Sequence, residues 1–169
     1  MNDKSGRKLK DLRISVTDRC NFRCRYCMPE ELYGEAFEFL KKDQVLSFEE
    51  IARLSKIFIS LGVKKIRLTG GEPLVRKNVP ELINSISSIN KNIDIAMTTN
   101  GYLLKKHAKE LYDSGLKRLT VSLDTLDEKI FKEMSGKNFK VNNVLEGIDE
   151  AVKVGFKKIK INSVIKKGV

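Results

Sequence analysis

The sequence predicts an α/β fold built on a parallel β-sheet, and three observations carry that expectation. Apolar residues alternate along five short segments, helical apolar periods fill the gaps between them, and no Gly-, Pro- or Ser-rich linker interrupts the 169 residues. Strands that alternate with helices must be joined by crossovers, which makes neighbouring strands parallel. Residues 1–169 are therefore expected to form a single domain.

The first strand is expected at Leu12–Thr17. Residues 18–46 then join it to the first helix, where about 2–6 residues are usual. A connection that long is either functional or disordered, and this one holds every cysteine in the chain. The helix Ser47–Leu61 opens on a capping box, Ser47 with Glu50, carries Ile51, Leu54, Phe58 and Leu61 at helical spacing, and ends at Gly62. A strand at Lys64–Thr69 follows. Asn78, with Pro80 in the first turn, starts the next helix, which carries Leu82, Ile83, Ile86 and Ile89. The remaining elements are a strand at Ile93–Thr98, a helix at Leu103–Ser114, a strand at Arg118–Asp124, a short helix capped by Asp127, a helix at Val141–Val154 and a strand at Lys158–Val164.

A parallel sheet buried on both faces reads as continuous apolar runs, but these strands alternate. Leu12, Ile14 and Val16 oppose Arg13, Ser15 and Thr17; Ile66 and Leu68 oppose Arg67 and Thr69; Leu119, Val121 and Leu123 oppose Thr120, Ser122 and Asp124. The apolar parity must face the helices, and the polar parity must face the inside of a curved sheet. Arg13, Arg67, Thr98, Ser122, Asp124 and Lys160 would be costly to bury without partners, so they are expected to line a wet cavity or touch a polar ligand. An antiparallel sheet with one solvated face is the alternative, and the intervening helices argue against it.

Composition narrows the function. Thirty-three Lys and Arg against 22 Asp and Glu give +11, which implies an anionic partner. With no Trp, 7% aromatic residues and no helix-turn-helix or RNP-like pattern, that partner is not expected to be a nucleic acid. No window approaches the roughly 18 apolar residues of a membrane span. The polar stretch Met1–Lys10 lacks the apolar core of a secretory signal, so a cytoplasmic location is expected.

Three cysteines, an odd number packed between Cys20 and Cys27, rule out a disulfide framework and point to metal or redox chemistry. Their spacing is C-x3-C-x2-C. Thiolates are the usual ligands of iron–sulfur clusters. Three of them on a four-iron cluster leave one iron open, as a catalytic metal site requires. Arg19, Arg23 and Arg25 flank the thiols, and their charge is expected to favour the thiolate. A zinc site would need a fourth ligand, and the single histidine, His107, lies far along the chain in a Lys-rich helix.

C-x3-C-x2-C just after a first strand, with Tyr26 before the last Cys, resembles the radical S-adenosylmethionine (radical SAM) enzymes. So does Thr69-Gly-Gly-Glu-Pro73 at the end of the second strand. The stretch Asp11-Leu-Arg-Ile-Ser-Val-Thr-Asp-Arg-Cys20 is further similar to the GTP 3′,8-cyclase family of molybdenum-cofactor biosynthesis, as are Thr98-Thr-Asn-Gly101, Val121-Ser-Leu-Asp124 and Lys160-Ile-Asn162. The resemblance covers nearly the whole chain.

It implies a partial (βα)6 barrel of TIM type, here ending after about five strands. It implies a 4Fe-4S cluster on Cys20, Cys24 and Cys27, with S-adenosylmethionine bound by its amino and carboxylate groups at the open iron. Cleavage to methionine and a 5′-deoxyadenosyl radical, abstraction of the ribose 3′ hydrogen of GTP and attack on guanine C8 would give 3′,8-cyclo-7,8-dihydro-GTP. By position, Tyr26, Gly71 and Ser122 would contact the cofactor, and Arg13, Arg67, Thr98 and Lys160 would contact GTP. The implied partners are an electron donor, a downstream pterin-synthesis protein and a second copy of the chain in a homodimer. The family's second three-cysteine cluster has no counterpart here, so the chain is expected to be an N-terminal portion, incomplete for turnover alone. Two alternatives stand beside this reading: another radical SAM enzyme, acting on a peptide or a tetrapyrrole, and a basic zinc- or RNA-binding module.

Overall fold

Five strands form one sheet in the order β1-β2-β3-β4-β5, with every neighbouring pair parallel. They are β1 Asp11–Ser15, β2 Lys65–Thr69, β3 Asp94–Thr99, β4 Arg118–Ser122 and β5 Ile159–Asn162. The computed structural model describes residues 4–168. Met1–Asp3 and Val169, the extremes of the polar N-terminus and of the expected truncation, lie outside the described residues. Strand order that follows chain order without reversal keeps right-handed crossovers on one side of the sheet. The other side stays open. That is the geometry of a partial barrel, and it excludes the antiparallel alternative.

The helices are α1 Glu30–Tyr33, α2 Phe48–Ser60, α3 Val79–Ile89, α4 Leu104–Asp113, α5 Glu128–Ser135 and α6 Val141–Val154. The capping box that opens α2 is present: Ser47 Oγ accepts from Glu50 N, and Glu50 Oε2 accepts from Ser47 N. Asn78 departs from expectation. It precedes α3 but adopts a left-handed φ of 62° and makes no side-chain cap. Pro80 still sits in the first turn, where its missing N–H costs nothing.

The apolar parity is buried on β2, β3 and β4, whereas on the edge strands Leu12, Ile14 and Ile159 are only half-buried and Ile161 is exposed. Ile66, Leu68, Ile95, Met97, Leu119 and Val121 pack with Leu82, Ile83, Ile86, Leu104, Leu111 and Val144 from the helices. On the opposite face Arg13 and Lys160 are exposed, while Arg67, Thr98 and Ser122 are half-buried. Thr69, Ala96 and Thr120 on that face are buried. The inner wall is therefore closed in its middle and wet at β1 and β5. The connection over residues 18–46 is not structureless. It holds α1, a 3-10 turn at Lys42–Gln44, and an aromatic group in which Phe37 touches Tyr33 and Phe39.

Candidate functional site

The cysteine loop lies across the C-terminal ends of the strands, the edge at which barrel enzymes place their chemistry. Backbone hydrogen bonds splice it to the turn after β2. Val16 N donates to Thr69 O, Gly71 N to Thr17 O and Glu72 N to Arg19 O, each at 2.8 Å. A Cβ on Gly71 would sit 2.3 Å from Arg19 O, and one on Gly70 2.6 Å from Thr17 O. The crossing loop itself thus requires the glycine pair.

Between the first two cysteines, Phe22 is the anchor. It is buried, with ring centroids 5.9 Å from Phe131, 6.0 Å from Tyr102 and 5.5 Å from Phe139. Arg23 N donates to Ser135 O at the end of α5. Cys27 N and Met28 N both donate to Cys24 O, so one helical turn carries the last two thiols. Cys20 Sγ accepts from Phe22 N at 3.4 Å and lies 3.9 Å from Asn100 Nδ2.

The arginines serve the thiols less than the sequence suggests: Arg23 pulls Cys20 down, but burial outweighs it. Arg23 donates to the carbonyls of Cys20, Phe22 and Tyr33. Arg19 reaches Leu40 O, and Arg25 pairs with Glu133. Arg19 and Arg23 brace the loop backbone, and Arg25 ties the loop to α5. Burial pushes the Cys24 thiol up to about 12, reinforced by Cys20, Cys27 and Asp124. Burial also raises Cys20, with Glu72 and Cys27 adding to it. Here desolvation and mutual repulsion outweigh the flanking charge.

The donor chemistry fits an iron–sulfur cluster, whose usual ligands are clustered cysteine thiolates. The three thiols are free and close enough to interact: Cys24 feels the charge of Cys20 and Cys27, and Cys20 that of Cys27.

Glu72, Asn100 and Asp124 stand in stretches the sequence marks, but the bonds by which they hold this region together are not legible there. Glu72, 1% exposed, accepts from Leu74 N, Thr99 Oγ1 and Asn100 N. Asn100 Nδ2 donates to Asn21 Oδ1, which links the end of β3 to the cysteine loop. Asp124 Oδ2 accepts from Tyr26 OH at 2.6 Å, and its Oδ1 accepts from Val164 N. Burial and this bond raise the Tyr26 phenol. Ser122 joins Cys24, Tyr26, Asn100 and Asp124 around a small cavity of about 40 Å³. Of the expected cofactor group, Tyr26 and Ser122 therefore meet there, while Gly71 sits across the loop splice.

The expected nucleotide group lies deeper. Cross-strand register puts Arg13, Arg67, Ala96 and Arg118 in one row across four strands. Thr98, Thr120 and Lys160 form another row across β3, β4 and β5. Arg67, Arg118, Thr120, Lys158 and Lys160 line a cavity of about 340 Å³. Arg13 stands apart from it on the edge strand β1. His107 is on α4 beside Glu110, away from the thiols.

Open sheet, cysteine loop and glycine-rich splice together define a class, and comparison with known proteins agrees. The chain belongs to the Radical SAM superfamily, whose sequence profile matches residues 14–169. It is 54% identical over 169 residues to the GTP 3′,8-cyclase of Staphylococcus epidermidis, covering 100% of this chain and 49% of that protein. It is 52% identical to the GTP 3′,8-cyclase of Staphylococcus aureus with the same coverage. The chain thus spans about half the length of the curated relatives it matches. Among solved structures, Streptococcus suis SuiB bound to precursor peptide SuiA superposes with a TM-score of 0.75 at 24% identity, over 94% of this chain and 34% of that one. Methylornithine synthase PylB gives 0.70 at 15% identity, over 93% and 45%. At these identities the likeness is one of fold. No helix among the described residues is long and apolar enough to cross a membrane.

Proposed function

We propose that this chain is the cluster- and cofactor-binding portion of a GTP 3′,8-cyclase. Cys20, Cys24 and Cys27 would hold a 4Fe-4S cluster with one iron open. Bound there, S-adenosylmethionine and the reduced cluster would supply a 5′-deoxyadenosyl radical. Tyr26 and Ser122 would border the adenosine, and the Gly71 backbone would meet the methionine end. Below them Arg67, Thr98 and Lys160, with Arg13 at the rim, would hold the triphosphate of GTP, because guanidinium and ammonium groups suit phosphate oxygens. The chain's own work is to orient the nucleotide under the radical source and to restrict competing reactions. An external electron donor would reduce the cluster, and a pterin-forming enzyme would consume the cyclised nucleotide.

The observation that carries the reading is vertical order. A three-thiol loop is spliced over the strand ends, and a cationic cavity lies beneath it in the same open wall. The high identity to GTP 3′,8-cyclases favours GTP over a peptide substrate. Calorimetry with GTP tests the substrate half. Wild-type chain should bind GTP, and Arg67→Ala should weaken binding at least tenfold while leaving iron loading intact. Equal affinity in the two would remove Arg67 from the site.

A further inference from the structure

We infer that Thr120 is a positioning residue, holding Arg67 in the direction from which it takes phosphate. The inference rests on the reading that this wall receives a triphosphate.

Arg67 Nη1 donates to Thr98 Oγ1 at 3.1 Å and to Thr120 Oγ1 at 3.0 Å. The register makes this arrangement specific. Arg67 lies opposite Ala96, and Thr98 lies opposite Thr120. The guanidinium therefore leaves its own row and reaches the next row toward the cysteine loop, held by two hydroxyls from two strands.

A hydroxyl oxygen accepts a hydrogen bond and carries no net charge. It orients the guanidinium without cancelling it. Arg118, in the same row as Arg67 and lining the same cavity, is held differently. Its guanidinium is ion-paired with Asp94, with Nε donating to Oδ1 at 3.0 Å. One arginine is compensated by a carboxylate, and the other keeps its charge for an incoming anion. The two threonines are not equivalent. Thr98 is half-buried and can still turn its own O–H toward a ligand. Thr120 is 5% exposed, so its side chain is fixed by packing and its acceptor points to Arg67. Thr120 is thus the rigid half of the pair, and no motif in the sequence singles it out.

The test uses the 169-residue chain and calorimetric titration with inorganic tripolyphosphate and with GTP. Thr120→Val keeps the volume and removes the acceptor, and it should weaken both ligands about tenfold, the scale of one hydrogen bond to a charged group. Thr120→Ser, which restores the hydroxyl, should return affinity to within about twofold of wild type. In an Arg67→Ala background, Thr120→Val should cause no further loss, because its only route to the anion is gone. A merely structural threonine would not show that non-additivity. Should Thr120→Val not fold, Thr120→Cys supports the same comparison with a weak acceptor. Normal affinity in Thr120→Val, or an additional loss in the Arg67→Ala background, overturns the positioning role and leaves the nucleotide reading standing. Unchanged binding of both ligands in Arg67→Ala removes Arg67 from the site and the positioning role with it, whereas a wild-type chain that binds neither ligand overturns the nucleotide reading as well.

Discussion

Glu72 Oε2 accepts a 2.7 Å hydrogen bond from the backbone N–H of Asn100. Its other oxygen takes Leu74 N and Thr99 Oγ1. One buried carboxylate thus joins the end of β2 to the end of β3, and Asn100 passes the connection to the cysteine loop through Asn21. Three donors converge on Glu72, so losing its oxygens leaves all three without an acceptor. Glu72→Ala should destabilise the chain by at least about 1–3 kcal/mol, the cost of leaving buried donors unmade. Urea denaturation measures this, and an unchanged midpoint would contradict the role.

The same carboxylate gives the chain a pH signature. Burial raises Glu72 from 4.5 to about 7, against the pull of its three donors. The folded chain therefore holds this proton more tightly than the unfolded chain. Its contribution to stability is complete below about pH 4.5 and is lost as pH rises through about 7, by up to about 3 kcal/mol. The wild-type urea midpoint should fall across that window relative to Glu72→Gln, which lacks the titrating group. Parallel curves for the two proteins would refute it.

Gly71→Ala places a methyl group 2.3 Å from Arg19 O, one residue before Cys20. The backbone splice must open to admit it. The variant should load little iron while its helical circular dichroism stays near wild type. Full iron content in Gly71→Ala would show that the splice does not position the thiols.

Phe22→Ala removes the buried ring that docks the loop on α5, at a cost of about 3–5 kcal/mol. We expect a lower melting temperature, together with loss of iron binding at temperatures where the sheet is still folded. A melting temperature within about a degree of wild type would exclude the anchor.

Before metal is added, the thiols should differ in reactivity. Cys27 is exposed, whereas burial pushes Cys24 up to about 12. Iodoacetamide at neutral pH should label Cys27 first and Cys24 last, since the thiolate is the nucleophile. Peptide mass spectrometry reads the order, and early labelling of Cys24 would contradict it.

The sheet was legible because hydrophobic period is local. Alternation along Ile66–Leu68 and Leu119–Leu123 placed strands, and the period through Ile51, Leu54 and Phe58 placed a helix. Strand polarity at Arg67 and Thr98 marked the inner wall for the same reason. What escaped is long-range. Nothing near Glu72 announces that it will meet a backbone N–H beyond the next helix, and Asp124 gives no sign that it will bind Tyr26. The arginines misled by proximity in the chain. Arg23 is next to Cys24 in sequence, but its five donors are better satisfied by loop carbonyls than by a thiol. Gly71 is required by a backbone that approaches from residues 17–19, which no local pattern encodes.

The central claim is that Cys20, Cys24 and Cys27 carry a four-iron cluster with one iron left for the cofactor. Anaerobic reconstitution with iron and sulfide, followed by electron paramagnetic resonance of the reduced chain with and without S-adenosylmethionine, tests it most directly. The account predicts about four irons per chain and a spectrum that shifts when the cofactor is added. One zinc per chain with no iron uptake, or a cluster whose spectrum ignores the cofactor, would contradict it.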